Sequence, residues 1–328
     1  MKIEQRWNRG DSLDPEFVGI ERAIRNELLA SNYTRWAGAG GYQITENLAS
    51  NPERIFIFRH GGIWYAGCKT ISDYVLQDDM PGVFCSKVYW HNVIGSVSGM
   101  RISDVDARIS FEPMDESARR TVFNELESMT ELIHPFTKQS RRGSEKTSPP
   151  DGWLVTEQRA RYLGLGESHI RRYTSDCFRE KFTHLAGDVL AYDPACSTGQ
   201  FLAEFALLDQ ARIRTVGQDL SMQMVDFATA HLGQVHHGDA LYPAVVPGSV
   251  DILFCRFLNS EVVSTHSARQ ILPKLVATLR QGGFFVMFGH SPVLLDASDL
   301  MAAGLSISQT MARSEDYIFQ YYVCRFGG

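Results

Sequence analysis

The stretch Val189-Leu190-Ala191-Tyr192-Asp193-Pro194-Ala195-Cys196-Ser197-Thr198-Gly199 decides how the C-terminal half of this chain folds. Its first four residues predict a buried strand that ends at Asp193. Small residues follow the strand, and Ser197 or Thr198 can cap the helix that begins near Gly199. A strand, a tight loop and a helix in this order are typical of an open α/β sheet, which binds ligands at the carboxyl ends of its strands.

Strands and helices continue to alternate towards the C-terminus. The apolar patterns predict helices over 199–208, 221–232, 268–280 and 296–303, and strands over 213–217, 235–238, 250–254 and 284–288. This alternation favours a parallel, doubly wound sheet. The last two strands, 305–311 and 317–325, are joined by a linker too short for a crossover helix, so they must pair as an antiparallel hairpin. The predicted fold class is α/β, a doubly wound sheet of seven strands that ends in this hairpin.

Acidic residues mark the ends of the first three strands of this sheet. Asp193 ends the first strand, Asp219 ends the second, and Asp239 follows the third. Gln281-Gly282-Gly283 predicts a turn before the fifth strand. The carboxyl ends of parallel strands meet at one edge of a sheet, so we expect the three carboxylates to face one ligand.

These motifs, in this order, resemble the class I methyltransferase superfamily, Rossmann-like enzymes that use S-adenosyl-L-methionine (SAM). The resemblance implies a SAM-dependent transferase with SAM as its cofactor. It places the loop residues Asp193, Ala195, Cys196, Ser197 and Gly199 beneath the methionine portion of SAM. It also implies that Asp219, next to Leu220, binds both ribose hydroxyls, and that Asp239, next to Ala240, binds the adenine amino group.

Two other nucleotide-binding families compete for the same pattern. A nicotinamide dehydrogenase needs a glycine-rich loop so that the backbone can approach a pyrophosphate, whereas this loop keeps Gly199 alone. SAM carries no phosphate, so the sequence favours SAM. The loop also resembles that of nucleic-acid adenine methyltransferases, which carry an Asn/Asp-Pro-Pro-Tyr/Phe motif after the fourth strand. Here that position reads Cys255-Arg256-Phe257-Leu258-Asn259, so we reject this interpretation.

The candidate catalytic residues come from loops and segments around the sheet. His290 follows the fifth strand and is placed to act as a base or to orient an acceptor; a structural histidine is the alternative. Asn259 and Arg256 follow the fourth strand and can bind a carboxylate or the methionine end of SAM; for Arg256 a surface ion pair is the alternative. Tyr173 lies on the segment before the first strand, and is the preferred contact for the sulfonium or the carboxylate. An ordinary amphipathic helix also explains that segment.

The superfamily does not decide which bond of SAM breaks. Our first prediction is a methyltransferase that acts on a small molecule of specialised metabolism. The loop at 193–199, Arg256-Phe257-Leu258-Asn259 and His290-Ser291-Pro292 also resemble a branch that uses the γ-carbon of SAM. That branch contains aminocarboxypropyltransferases, such as those that build isonocardicin, and azetidine-2-carboxylate synthases, which cyclise SAM. A non-catalytic SAM-binding interaction protein is a further alternative, against which the three aspartates argue.

Residues 1–137 predict a separate α+β domain with an antiparallel sheet. The patterns predict helices over 14–29 and 117–134, and strands over 54–58, 63–68, 83–93 and 107–111. His60-Gly61-Gly62 is typical of a hairpin turn. This domain shows no catalytic motif, and we expect it to shape or cover the acceptor site or to bind a partner.

A boundary follows this domain. Residues 138–152 are rich in Ser, Gly, Pro and charge and predict an exposed linker. The SAM-binding domain then spans 153–328, and begins with a helical segment over 152–185.

Composition narrows the function classes and the compartment. The chain has 328 residues, which suits two domains, and its net charge of −6 argues against a nucleic-acid partner. There is no long apolar run, no signal peptide at the N-terminus and no Cys-x-x-Cys pair, which predicts a cytoplasmic protein with free thiols and no membrane contact. His236 and His237 point to opposite faces of a strand, so we predict no metal. We expect a small-molecule substrate, and the sequence leaves a homodimer open.

Overall fold

The computed structural model describes residues 15–47, 55–70, 88–103, 105–126, 147–162, 168–182, 187–259, 262–288, 294–314 and 317–327. The N-terminal half contains α1 (Pro15–Leu29), β1 (Ala37–Gly38), β2 (Gly41–Asn47), β3 (Ile55–His60), β4 (Ile63–Cys68), β5 (Val88–Tyr89), β6 (Val93–Ile102), β7 (Asp106–Pro113) and α2 (Glu116–Asn124). The C-terminal half contains α3 (Glu157–Tyr162), α4 (Ser168–Phe182), β8 (Val189–Asp193), α5 (Gln200–Ala206), β9 (Ile213–Asp219), α6 (Met222–Ala228), β10 (Val235–His237), β11 (Val250–Cys255), α7 (Thr265–Val276), β12 (Leu279–Phe288), α8 (Ala297–Ala302), β13 (Leu305–Ser314) and β14 (Tyr317–Phe326).

The N-terminal half is an α+β unit built on an antiparallel sheet, as its sequence predicts. The strand order is β1-β2-β7-β6-β4-β3, and each neighbouring pair is antiparallel. The β3–β4 hairpin turns at Gly61 and Gly62, which both have positive φ, the conformation that glycine adopts without strain. The predicted strand over 83–93 is described only from residue 88, where it divides into β5, a 3-10 turn and the start of β6. The helix predicted over 117–134 ends at Asn124, and its predicted end from residue 127 lies outside the described residues.

The C-terminal half confirms the doubly wound sheet and its closing hairpin. The order of its strands is β10-β9-β8-β11-β12-β14-β13. Neighbours from β10 to β12 are parallel, whereas β14 runs antiparallel to both β12 and β13. Helices α7 and α8 supply the core on one face, and α4 and α5 supply it on the other. Because both faces are covered, every residue of β11 is buried, and all but Asp251 are apolar. The Asp251 carboxylate accepts a hydrogen bond from the Leu190 amide of the neighbouring β8 at 2.8 Å.

The fifth strand of this sheet begins earlier than its sequence predicts. Gly282 and Gly283 lie inside β12 and not in a turn before it. Gly282 has a φ of 75°, and the pairing with β11 shifts between Val250 and Ile252. The glycine pair therefore forms an irregularity that the strand absorbs, with ladder pairing on both sides of it.

The two halves share strand pairing and a hydrophobic core. β5, from the N-terminal half, pairs with the start of β14 and extends the C-terminal sheet. Met311 and Ile318, from the β13–β14 hairpin, are fully buried in one cluster with side chains of the N-terminal half, namely Phe56, Phe58, Val88, Val93, Val122, Phe123 and Leu126. The Arg313 guanidinium lies 4.5 Å from the centre of the Phe123 ring. The N-terminal half is thus packed onto the hairpin.

The end of the predicted linker, residues 147–152, lies against the C-terminal half. The Ser148 amide donates to the Val262 carbonyl at 2.7 Å. Gly152 is buried, and a Cβ there would approach the Ser221 Cβ to 2.6 Å. Within the described residues, the cysteines are free thiols, and no helix is long and apolar enough to cross a membrane.

Candidate functional site

The loop that joins β8 to α5 is fixed by hydrogen bonds from its backbone amides to other groups of the protein. Four backbone amides donate internally: that of Ala195 to Asp193 Oδ1 (3.0 Å), Cys196 to the Gln218 carbonyl (2.8 Å), Ser197 to Asp219 Oδ2 (2.8 Å) and Gly199 to the Cys196 carbonyl (3.0 Å). A loop that cradles phosphate instead turns its amides outward to the ligand. This loop is therefore not built for a pyrophosphate.

Close packing explains the small residues of this loop. Gly199 has a φ of 76°, and a Cβ there would lie 3.0 Å from the Leu232 side chain. A Cβ on Gly217, beneath the loop, would approach the Cys196 sulfur to 2.8 Å. Burial raises the pKa of the Cys196 thiol, so the thiol stays protonated and serves as a packing group.

Asp219 ends β9 beside this loop, and both of its carboxylate oxygens accept backbone hydrogen bonds. Oδ2 accepts from the Ser197 amide at 2.8 Å, and Oδ1 accepts from the Ser221 amide at 2.9 Å. Burial raises the pKa of this carboxyl, while the two amides act in the opposite direction. Each carboxylate oxygen can accept a second hydrogen bond, so Asp219 retains acceptor capacity for a ligand.

Asp239 follows β10, the neighbour of β9, as the sequence predicts. Its side chain is exposed, and Oδ1 accepts from the Leu241 amide at 2.8 Å. Ala240 beside it is buried, and Leu220 is half-buried after the end of β9. Because β8, β9 and β10 are neighbours, the structure brings Asp193, Asp219 and Asp239 into one row along the edge of the sheet, called the aspartate row below.

Arg256 joins this row at Asp193. Its Nε lies 3.1 Å from Asp193 Oδ2, and its guanidinium lies 4.6 Å from the centre of the Phe201 ring. Asp193 is fully buried and the Arg256 side chain is only 14% exposed, so this is not the surface ion pair that we considered as the alternative. Asn259 is buried nearby, and its side-chain amide donates to the Arg256 carbonyl at 3.2 Å.

Tyr173 makes its described contacts with the closing hairpin and not with the aspartate row. Gln309 donates to the Tyr173 hydroxyl, and the Tyr173 ring packs edge-on against Tyr321 at 5.2 Å. These contacts join Tyr173 to β13 and β14, so its role at the cofactor remains a prediction. His290, with Ser291 and Pro292, lies outside the described residues.

The sequence analysis missed Gln218, which is buried on β9 between Gly217 and Asp219. Its side-chain oxygen accepts hydrogen bonds from the Tyr192 hydroxyl and from a backbone amide of the loop after β10. Its side-chain nitrogen donates to two backbone carbonyls of the same loop. The available signal was an amide side chain directly after the apolar part of the strand, Val216-Gly217, and before the strand-end Asp219. Such a group must find partners when it is buried.

The chemistry of the site is that of a polar ligand without phosphate. The aspartate row can accept hydrogen bonds from hydroxyl or amino groups of a ligand. The 193–199 loop has few donors for an anion, because four of its backbone amides donate within the chain. Arg256 is the one cation that the described contacts place at the row. The site therefore suits a nucleoside joined to a group that bears a carboxylate.

Comparisons with known proteins agree with this chemistry. Residues 191–283 match the family model of a methyltransferase domain. The chain is 31% identical over 303 residues to isonocardicin synthase from Nocardia uniformis subsp. tsuyamanensis, a match that covers 90% of this chain and 99% of that protein.

Solved structures of methyltransferases are also similar to this chain. The sugar N-methyltransferase KedS8 from Streptoalloteichus sp ATCC 53650 is 16% identical with a TM-score of 0.43, covering 56% of this chain and 98% of KedS8. A SAM-dependent methyltransferase from Aquifex aeolicus is 13% identical with a TM-score of 0.41, covering 53% of this chain and 100% of that protein.

Proposed function

Because this chain belongs to the family of isonocardicin synthase, within the class I SAM-dependent methyltransferase superfamily, we propose that it transfers the 3-amino-3-carboxypropyl group of SAM to a small-molecule nucleophile. The observation that carries this proposal is the extent of the similarity. The methyltransferase family model covers residues 191–283 only, which supports the use of SAM. The similarity to isonocardicin synthase covers 90% of the chain and therefore reaches into both halves. This extent supports a shared type of reaction as well as a shared cofactor.

The described residues fit SAM. The loop amides of residues 195, 196, 197 and 199 are used within the chain, which suits a cofactor without phosphate. We assign Asp219 and Leu220 to the ribose, Asp239 and Ala240 to the adenine, and the 193–199 loop to the methionine portion. At the ribose and at the adenine, a carboxylate oxygen of Asp219 or Asp239 would accept from a hydroxyl or amino group of the cofactor.

Arg256 is our candidate for the carboxylate of the methionine portion. A guanidinium has five N–H donors in a planar fork that matches a carboxylate, and Arg256 contacts Asp193 through Nε. Asp193 fixes one edge of the fork, and Asn259 fixes the backbone of Arg256. The group that is transferred would thereby be held at the carboxylate end.

Only one step of chemistry is required. When bound, SAM supplies an electrophilic Cγ: the nucleophile bonds to Cγ, the Cγ–S bond breaks, and its electron pair goes to the sulfur of the leaving methylthioadenosine. The protein has to orient the nucleophile and accept its proton. His290 remains our prediction for that base.

Methyl transfer to a small molecule is the second candidate, since the family model is that of a methyltransferase domain. The same residues would hold SAM, and the nucleophile would face the methyl carbon. Cyclisation of SAM to azetidine-2-carboxylate is a variant of the first candidate, in which the amine of SAM is the nucleophile.

The identity of the sulfur product distinguishes these reactions. Purified protein is incubated with SAM, first alone and then with a panel of phenols, amines and thiols, and the products are identified by mass spectrometry. We expect methylthioadenosine that depends on an acceptor, together with an acceptor that has gained the aminocarboxypropyl group. S-adenosylhomocysteine would show methyl transfer and overturn the proposal. Methylthioadenosine above the spontaneous background without an acceptor would indicate cyclisation.

A further inference from the structure

Gln218 is a buried side chain whose polar atoms are engaged on both sides. It is 1% exposed on β9. Its Oε1 accepts from the Tyr192 hydroxyl and from the Ala244 amide, the latter at 2.8 Å. Its Nε2 donates to the carbonyls of Asp239 at 2.9 Å and Tyr242 at 3.2 Å. Both capacities of the amide group, to donate and to accept, are therefore directed at the loop 239–244.

The backbone of Gln218 holds the other loop of the site. Its carbonyl accepts from the Cys196 amide at 2.8 Å, within the 193–199 loop. One residue thus ties together the two loops that flank the Asp219 carboxylate. The fit is close, since a Cβ on Gly238 would lie 3.2 Å from Gln218 Nε2.

We infer that Gln218 is a positioning residue that sets the loop 239–244 for the adenosine portion of SAM. The inference rests on the proposed placement of SAM along the aspartate row. An apolar side chain at position 218 would fill the space, but the Asp239 and Tyr242 carbonyls would lose the donor that Gln218 provides. The Ala244 amide would keep only its longer hydrogen bond to the Tyr192 hydroxyl, at 3.2 Å. Buried polar groups without partners are costly, so the loop would shift towards solvent and take Asp239 with it.

The affinity for methylthioadenosine, compared with that for SAM, tests whether Gln218 acts on the adenosine portion. Methylthioadenosine carries the adenosine without the amino acid, so a residue that acts on adenosine affects it as strongly as SAM. The substitution Gln218→Met keeps the length of the side chain and removes its hydrogen bonds. We expect it to raise the Kd of SAM and of methylthioadenosine by the same factor, about 10-fold, which corresponds to about 1.4 kcal/mol. The KM for SAM should rise likewise, while kcat at saturating SAM stays within about twofold of the wild type.

A matched control tests whether lost stability alone explains the result. Thr278 is also buried, and its hydroxyl donates to the Leu275 carbonyl at 2.6 Å before β12, at the opposite edge of the sheet. Thr278→Val should lower the melting temperature and leave both Kd values unchanged. Arg256→Met should weaken SAM and leave methylthioadenosine unchanged.

Several outcomes would overturn the inference. If Gln218→Met lowers the melting temperature as Thr278→Val does, and both Kd values stay within about twofold of the wild type, Gln218 is a stability residue only. A loss confined to SAM would place its effect at the methionine end and also contradict the inference. If Gln218→Met does not fold, Tyr192→Phe decides. It removes a hydroxyl that donates to Gln218 Oε1 and accepts from the Ala244 amide at 3.2 Å, so it loosens the same loop and should weaken both ligands by about 2- to 5-fold. The wild-type reaction products test the proposed function separately from these affinities.

Discussion

Asp219 is a half-buried carboxylate that accepts hydrogen bonds from two backbone amides. If it also binds the ribose, Asp219→Ala should raise the Kd of SAM by about 10- to 100-fold, because each hydrogen bond to a charged group contributes about 1.5–3 kcal/mol. Isothermal titration with SAM measures this. Asp226, on the exposed face of α6, gives the matched control Asp226→Ala. Unchanged affinity in Asp219→Ala would support a non-catalytic scaffold instead.

The pKa of Asp219 gives a second prediction. Burial raises this pKa, so on acidification the carboxyl takes up a proton at a higher pH than an ordinary aspartate does. The protonated form has lost part of its capacity to accept hydrogen bonds. The affinity for SAM should therefore be fully present above the raised pKa and fall as the pH drops through it. The affinity of Asp219→Asn, measured over the same pH range, should not show this step.

His91 makes the stability of the chain depend on pH. It is 4% exposed and lies near Arg25, Arg119 and Arg120, and burial together with these charges lowers its pKa to about 3. The folded state keeps this histidine neutral, whereas the unfolded state takes up a proton below pH 6.5. Stability from this group is thus present above pH 6.5 and is lost as the pH falls towards 3, by about 1.4 kcal/mol per pH unit.

Urea unfolding of the wild type and of His91→Phe between pH 7 and pH 4 measures this dependence. The phenyl ring can keep the stacking that His91 makes on Tyr89. The variant should lose the extra slope below pH 6.5. Equal slopes in the two proteins would contradict the assignment.

Single residues differ in how well the sequence predicts their contacts. The positions of Asp193, Asp219 and Asp239 at strand ends were predictable, because strands alternate with helices along the chain and each aspartate comes at or just after the end of a predicted strand. The ion pair of Arg256 with Asp193 joins residues far apart in the chain, and it depends on β8 and β11 being neighbours. Gln218 was missed for a similar reason, since its partners are mainly backbone groups of another loop, and these carry no signal in the sequence.

Among the elements, α6 depends on a cap that serves two purposes. The Ser221 hydroxyl accepts from the Met224 amide at the start of the helix and donates to the Trp153 carbonyl at 2.7 Å. Ser221→Ala should cost about 1–2 kcal/mol of stability through the lost cap. It should also release residues 147–162, which limited proteolysis detects as faster cleavage within that segment.

Ser264 provides the matched control, because it caps α7 through the Ser267 amide. Ser264→Ala should lower the stability by a similar amount and leave the cleavage within 147–162 at the wild-type rate. Faster cleavage in both variants would mean that general destabilisation, and not the contact with Trp153, exposes the segment.

Secondary structure was most predictable where burial is uniform. β8 and β11 are mostly apolar and mostly buried, and their predicted and observed bounds agree to within a residue. β2 was not predicted, because its sequence, Gly41-Tyr42-Gln43-Ile44-Thr45-Glu46-Asn47, is mostly polar. Its pairing with β7 makes it a strand, and that partner follows some 60 residues later in the chain.

At the scale of the whole molecule, the cluster that both halves share should make their unfolding cooperative. Met311 is fully buried in that cluster, and Met311→Ala should cost about 2–5 kcal/mol. Because Met311 belongs to β13 and packs on the N-terminal half, both halves should lose stability together. Met301, which is 51% exposed, gives the control Met301→Ala with little effect.

Two probes follow the halves separately in urea. Trp7, Trp36, Trp64 and Trp90 lie in the N-terminal half, so their fluorescence reports on that half once Trp153 of the C-terminal half is replaced by Phe in all the proteins compared. The binding of SAM reports on the C-terminal half. In Met311→Ala both midpoints should fall by the same amount. If the fluorescence midpoint stays at its wild-type value while binding is lost earlier, the halves unfold independently. The sequence could not reveal this coupling, since the apolar residues of β13 and β14 are explained equally well by a core of their own half.

The position of β14 in the sheet also has a consequence for the redesign of such enzymes. The N-terminal half joins the sheet at β14, whereas the aspartate row lies on β8, β9 and β10, with β11 and β12 between them. A change in the packing of the N-terminal half at β5 therefore reaches β14 first, and two strands lie between β14 and the strands of the aspartate row. A protein engineer who wishes to replace the N-terminal half and keep the SAM site would therefore rebuild the contacts of β14 and leave β8, β9 and β10 unchanged.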